Sequence, residues 1–201
     1  MRSRILFTLC FISVVVGQPS FTAADINTDA DGLYDIHVAD MDNDGDLDIL
    51  SASFTDATIA WYENDGAADP SWTAANIVTN ATGASNVSAA DMDNDGDMDI
   101  LTVSANDDQV RWYENDGAVN PSWSAITISS AADYVEGLYQ ADLDNDGDID
   151  VISASYSDDK LAWYENDGAA DPSFTTRIIS TSINGAISVF AADLDNDGDI
   201  D

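Results

Sequence analysis

Basic residues and cysteine are scarce in this 201-residue chain. Five Lys and Arg stand against 39 Asp and Glu, a formal net charge of -34. Nucleic acid and anionic lipid would be repelled, so the usual electrostatic routes to both are excluded. One cysteine, Cys10, and one histidine, His37, leave no basis for a disulfide framework or a thiolate or imidazole metal site. Catalysis finds little support for the same reason, since no Ser, Cys or Asp nucleophile can be matched to a positioned base. Long apolar runs are also missing. The run from Ile5 to Val16 is about 12 residues, short of the ~20 that cross a bilayer. No window of eleven or more residues carries a convincing helical period. Disorder does not follow from the charge, because 45% hydrophobic and 9% aromatic residues supply a core.

The apolar run reads as a secretory signal. Arg2 and Arg4 precede it, and Val15 and Gly17 are small enough for cleavage before Gln18. Residues 1–17 are therefore expected to be removed. The mature chain would then be secreted or held at a cell surface, with no cysteine and no membrane insertion. A secreted chain without disulfides needs another staple.

The rest of the chain is a repeat of 51 residues. Asp40-Met-Asp-Asn-Asp-Gly-Asp-Leu-Asp48 recurs from Asp91, Asp142 and Asp193; Trp61-Tyr-Glu-Asn-Asp-Gly66 recurs from Trp112 and Trp163. Pro-Ser-aromatic recurs at Pro19, Pro70, Pro121 and Pro172. Three landmarks in one register divide the chain into units 19–69, 70–120, 121–171 and a partial 172–201.

Each unit reads as β. In the third, Asp150 to Tyr156 and Leu161 to Glu165 predict paired strands around a turn at Ser157-Asp158-Asp159. Further strands are expected at Arg177 to Thr181 and Ala186 to Ala192, with Asn166-Asp-Gly168 and Asn184-Gly185 as turns. Four short strands per ~50 residues is the pattern of a β-propeller blade. The expected fold is all-β, about three and a half four-stranded blades. Seven such blades would need about 357 residues, so the sequence is expected to be part of a longer ring.

The acidic loop carries the chemistry. Asp40, Asp42, Asp44, Asp46 and Asp48 place five carboxylates in nine residues. At ~4 Å two of them repel by about 4 kcal/mol at an effective dielectric of 20, so a compact loop calls for a cation. Oxygen-only ligands select a hard ion, and a flexible ring of oxygens suits Ca²⁺ better than Mg²⁺. Asp40, Asp42 and Asp44 are expected to point inward. Gly45 permits the bend, Asp46 offers its backbone carbonyl, and Asp48 offers a carboxylate directly or through water. The same roles fall to Asp91, Asp93, Asp95, Asp97 and Asp99, to Asp142, Asp144, Asp146, Asp148 and Asp150, and to Asp193, Asp195, Asp197, Asp199 and Asp201. These loops supply 20 of the 39 acidic residues. The spacing matches the first part of an EF-hand loop, but Ser51, Thr102 and Ser153 stand where the bidentate Glu would be, and a strand follows instead of a helix.

The acidic nonapeptide followed by Ile-Leu, then Trp-Tyr-Glu-Asn-Asp-Gly, resembles the FG-GAP-like (VCBS-type) repeats, whose relatives include the N-terminal propeller of integrin α subunits. The resemblance covers residues from about 19 to 201. It implies a seven-bladed propeller with Ca²⁺ in inter-strand loops on one face, held by the odd-position aspartates. The Phe-Gly and Gly-Ala-Pro signatures of the integrin repeats are not matched; Gly66-Ala-Ala-Asp-Pro70 stands there.

Alternation with Ile59, Val110 and Leu161 places Trp61, Trp112 and Trp163 on a face packed between blades. Tyr62, Tyr113 and Tyr164 fall on the other face, open to a ligand role. Glu63, Glu114 and Glu165 read as solvated. Columns that vary between copies (His37, Ser88, Tyr139 and Phe190; Ala60, Arg111 and Ala162) are free to carry specificity. The functional expectation is a calcium-binding extracellular module for adhesion or for binding a protein or polysaccharide. The alternatives are the propeller of a carbohydrate-active enzyme whose catalytic part lies elsewhere, and a structural surface component.

Overall fold

The computed structural model describes residues 25–201. The expected signal at 1–17, with Cys10, lies outside the described residues. Three antiparallel sheets follow one another, each a meander of four strands. The first holds β1 (Leu33–Ala39), β2 (Asp48–Ser53), β3 (Thr58–Asn64) and β4 (Trp72–Val78). The second holds β5 (Ala84–Ala90), β6 (Asp99–Ser104), β7 (Gln109–Asn115) and β8 (Trp123–Ser129). The third holds β9 (Val135–Ala141), β10 (Asp150–Ser155), β11 (Lys160–Asn166) and β12 (Phe174–Ser180). The only helical piece among the described residues is a 3₁₀ turn at Ala105–Asp107. These are β-propeller blades: β1 lies beside β5, and β5 beside β9, so the first strand of each sheet is innermost and the fourth outermost.

The sheets keep the 51-residue period in another phase. A unit edge at Pro70 falls between β3 and β4 of one sheet.

Blade packing explains the composition of the strands. β10, Asp-Val-Ile-Ser-Ala-Ser, is buried at every position because both its faces meet neighbouring blades. Leu50, Ile59 and Trp61 of the first blade pack with Val87, Ile100 and Tyr113 of the second. Leu101, Val110 and Trp112 of the second pack with Val135, Val151 and Tyr164 of the third. Each fully buried aliphatic side chain in these layers contributes about 1.5–3 kcal/mol. Trp61 and Trp112 occupy the inter-blade face expected of them. Trp61 meets Trp123 of the next blade edge-on at 6.4 Å, and Trp112 meets Phe174 likewise at 6.3 Å. Trp163 instead carries the Arg177 guanidinium 5.3 Å above its ring, and Arg177 also pairs with Glu165.

Tyr62, Tyr113 and Tyr164 lie on the face opposite the tryptophans, as alternation placed them, and at 4%, 3% and 1% exposure all three are buried. Tyr113 and Tyr164 pack in the layer shared with the preceding blade, which closes the ligand alternative for them, and Tyr62 accepts from Asn27 Nδ2 at 3.0 Å. A strand of a blade has two buried faces, not one. Residues 186–192 do not form a strand, although their counterparts in β1, β5 and β9 do. In the other blades that strand pairs with one that begins at the last loop aspartate, Asp48, Asp99 or Asp150. Here the corresponding residue is Asp201. Only the first rung forms, from the Asp201 N–H to the Ala192 carbonyl at 3.0 Å.

Candidate metal centre

In each of the three blades an acidic loop joins the first strand to the second, and in all four copies two left-handed residues curl it. In the first copy these are Asn43 at φ 59° and Gly45 at φ 95°; in the second they are Asn94 and Gly96 at 60° and 97°. The glycine is required by conformation, since a Cβ on Gly45 would meet nothing within 4 Å. The curl turns three successive N–H groups onto the carboxylates. Asp44 N–H donates to Asp40 Oδ1 at 3.1 Å, Gly45 N–H to Asp40 Oδ2 at 3.0 Å, and Asp46 N–H to Asp44 Oδ1 at 2.9 Å. The second and third copies repeat all three bonds.

The result is a cluster of carboxylates in every loop, their oxygens within 4.8 Å of one another. The clusters are Asp40, Asp42 and Asp44; Asp91, Asp93 and Asp99; Asp142, Asp144 and Asp146; and Asp193, Asp195 and Asp197. Burial, then Asp44 and Asp48, hold Asp42 above the usual carboxylate range, and burial followed by Asp95 does the same to Asp93. A proton or a bound cation would relieve that crowding. The donor set is entirely oxygen, partly buried and repeated four times, which fits a hard divalent ion.

Positions 7 and 9 have further duties. The ninth carboxylate is buried, with Asp48 and Asp150 each 1% exposed and Asp99 0%. It ties the loop to the end of the third strand. Asp48 accepts from Met41 N–H at 3.1 Å and from Asn64 N–H at 2.8 Å; Asp99 and Asp150 do the same with Met92 and Asn115, and with Leu143 and Asn166. Burial outweighs these bonds and pushes Asp99 up to about 7. Each oxygen keeps a second lone pair for an ion. The seventh carboxylate lies outside the clusters. Asp97 Oδ1 accepts from Asn43 Nδ2 of the preceding loop at 2.7 Å; Asp148 pairs in the same way with Asn94 at 2.7 Å, and Asp199 with Asn145 at 2.6 Å. Gly66 makes room for it: a Cβ there would lie 2.0 Å from Asp46 Oδ2.

A second asparagine links the loops in the opposite direction. Asn115, the Asn of Trp-Tyr-Glu-Asn, donates from Nδ2 to the Met41 carbonyl of the previous loop at 3.0 Å, and Asn166 donates to Met92 at 2.9 Å. Neither asparagine role was evident from spacing, although both residues recur in every copy and so signalled a fixed duty. Of the variable columns, His37 is half-buried and Ser88 buried, while Tyr139 packs on Phe190 at 4.6 Å.

No helix among the described residues is long and apolar enough to cross a membrane. No curated protein matches the chain. The family model for the FG-GAP-like repeat matches residues 40–102, 99–153 and 142–201, each match including at least one complete acidic loop. With its landmarks in register and its blades built on them, the chain belongs to the FG-GAP-like repeat family.

Proposed function

We propose that this chain is a calcium-binding β-propeller module of a secreted or cell-surface protein, which engages an extracellular protein or polysaccharide. The observation that carries the reading is the fourfold recurrence of a clustered, oxygen-only donor set on a loop closed by glycine. Carboxylates at positions 1, 3 and 5 would hold the ion, with the backbone carbonyl at position 7 and the carboxylate at position 9. Bound calcium supplies positive charge that offsets carboxylate repulsion and couples loop closure to folding. Sites of even ~10⁻⁴–10⁻³ M affinity fill at extracellular calcium levels. The signal-like residues 1–17 support secretion, and the scarcity of basic residues argues against polyanionic partners.

Thermal unfolding followed by circular dichroism tests the reading. EDTA is expected to lower the melting temperature strongly, and excess Ca²⁺ to restore it. A melt unchanged by chelator would refute it.

A further inference from the structure

The acidic loops lie at one end of the inner strands, and the other end carries a break in the repeat. Residues 32, 83, 134 and 185 occupy one column, read as Gly, Gly, Tyr and Gly. All four are left-handed, with φ of 67°, 73°, 53° and 66°. Three share a backbone duty: the carbonyls of Gly32, Gly83 and Tyr134 accept from Phe54, Ala105 and Tyr156 at 2.8, 2.8 and 3.0 Å. That conformation costs a residue with a Cβ roughly 1–2 kcal/mol. Tyr134 thus occupies a position whose geometry favours glycine. Its surroundings are adapted to it. A Cβ on Gly32 would come within 2.2 Å of Thr55 Oγ1, and one on Gly83 within 2.8 Å of the Asn106 nitrogen. The third copy has the smaller Ser157 in that column. Asp108 Oδ1 holds the Tyr134 N–H at 2.9 Å, as Asp159 Oδ1 holds the Gly185 N–H in the next copy.

A left-handed tyrosine where three other copies have glycine is a departure of the kind that accompanies function. The Tyr134 ring meets Tyr156 edge-on, centroids 6.1 Å apart, and Tyr156 is 51% exposed. With Glu136 and Ser157 the two rings line an open cavity of about 360 Å³, within the ~300–1,000 Å³ common for small-molecule sites. Glu136 is also particular to this copy; Tyr34, Ser85 and Ile187 stand in its column. Tyr34 reaches the same end from the first blade. Its phenol is held above the usual range, first by the Glu136 carboxylate, then by burial and by Tyr134.

We infer that Tyr134, Tyr156, Glu136 and Ser157 form a binding site for a neutral saccharide. The tyrosine rings take the C–H face of a sugar ring, and the Glu136 carboxylate accepts from its hydroxyls, with the Ser157 hydroxyl beside it. No basic side chain lines the cavity, and a chain of net charge -34 repels acidic sugars. A quaternary ammonium would use the rings and the carboxylate but not the Ser157 hydroxyl. The inference rests on the reading of the propeller as a binding module and is independent of its metal.

Calcium-loaded full chain is titrated with methyl glucoside, methyl galactoside, methyl mannoside, N-acetylglucosamine and choline chloride, using saturation-transfer NMR and calorimetry. At least one neutral sugar is expected to bind, and choline is not. Tyr134→Gly restores the residue of the other copies, so it is expected to melt no lower than wild type yet bind that sugar at least about tenfold more weakly, a difference of ~1.4 kcal/mol. Tyr156→Ala and Glu136→Gln are expected to weaken it similarly. Failure of all the sugars to bind, equal binding by folded Tyr134→Gly, or binding of choline instead would overturn the assignment. The calcium dependence of melting, measured on the same samples, reports separately on the proposed module and is expected to be the same in Tyr134→Gly.

Discussion

Asn94 and Asp148, 54 residues apart in sequence, join two acidic loops through a 2.7 Å hydrogen bond from Nδ2 to Oδ1. Asn94 sits between the carboxylates at positions 3 and 5 of its own loop, and Asp148 occupies position 7 of the next. The bond recurs between Asn43 and Asp97 and between Asn145 and Asp199, so the row of loops is linked side by side. Asn94→Ala is expected to cost about 1 kcal/mol of stability, typical of one lost hydrogen bond. It should also weaken calcium binding at the third loop. Urea unfolding with and without calcium checks this; an unchanged midpoint in both conditions would show that the bond adds nothing.

Two glycines of the second blade act for different reasons. Gly96 needs its left-handed backbone but has open space around it, whereas a Cβ on Gly117 would strike Asp97 Oδ2 at 2.3 Å. Gly96→Ala should cost roughly 1–2 kcal/mol from backbone strain. Gly117→Ala should cost more, because it also displaces the partner of Asn43. Denaturant midpoints of the two variants give the order, and equal losses would contradict it.

The pH response should change sign with metal. Asp99 sits at about 7 in the folded chain, first because of burial, against ~3.9 for an unperturbed Asp. The metal-free folded state therefore binds the proton more tightly than the unfolded state, and its stability falls as pH rises from about 4 to 7. Calcium requires the ionised carboxylate, so calcium affinity should drop as pH falls below about 7. Urea midpoints of metal-free and calcium-loaded protein between those limits should slope in opposite directions. Parallel slopes would show that this carboxylate is not coupled to the ion.

Trp112 is 2% exposed and packs edge-on against Phe174 of the next blade. Trp112→Ala should cost ~3–5 kcal/mol, as large aromatic truncations in cores do. A loss below 1 kcal/mol would mean that the blades are not held together through this layer.

Much of this architecture was legible in the sequence. A period without slip gave the blades, and alternation around Trp61, Trp112 and Trp163 gave the inter-blade face. The glycine at position 6 pointed to a sharp bend, which the fold makes left-handed at Gly45, Gly96, Gly147 and Gly198. The asparagine links were hidden because Asn43 and Asn115 look like ordinary turn residues until neighbouring blades bring the loops together. Tyr113 and Tyr164 lie on the face that alternation gave them, but alternation separates two faces without saying that both are covered. Residues 186–192 occupy the column of β1, β5 and β9 but make only the single rung from Ala192 to Asp201. Tyr134 was missed because its meaning lies in the contrast with glycine at the same column, joined to a backbone angle that only the fold reveals.

Calcium titration calorimetry on folded, chelator-stripped protein addresses the carboxylate clusters most directly. Heat of binding should appear, with ion retained in more than one loop after gel filtration, and Asp93→Asn together with Asp95→Asn should remove one site while leaving the others. Absence of heat and of retained ion in correctly folded protein would contradict the assignment of these loops to a divalent cation.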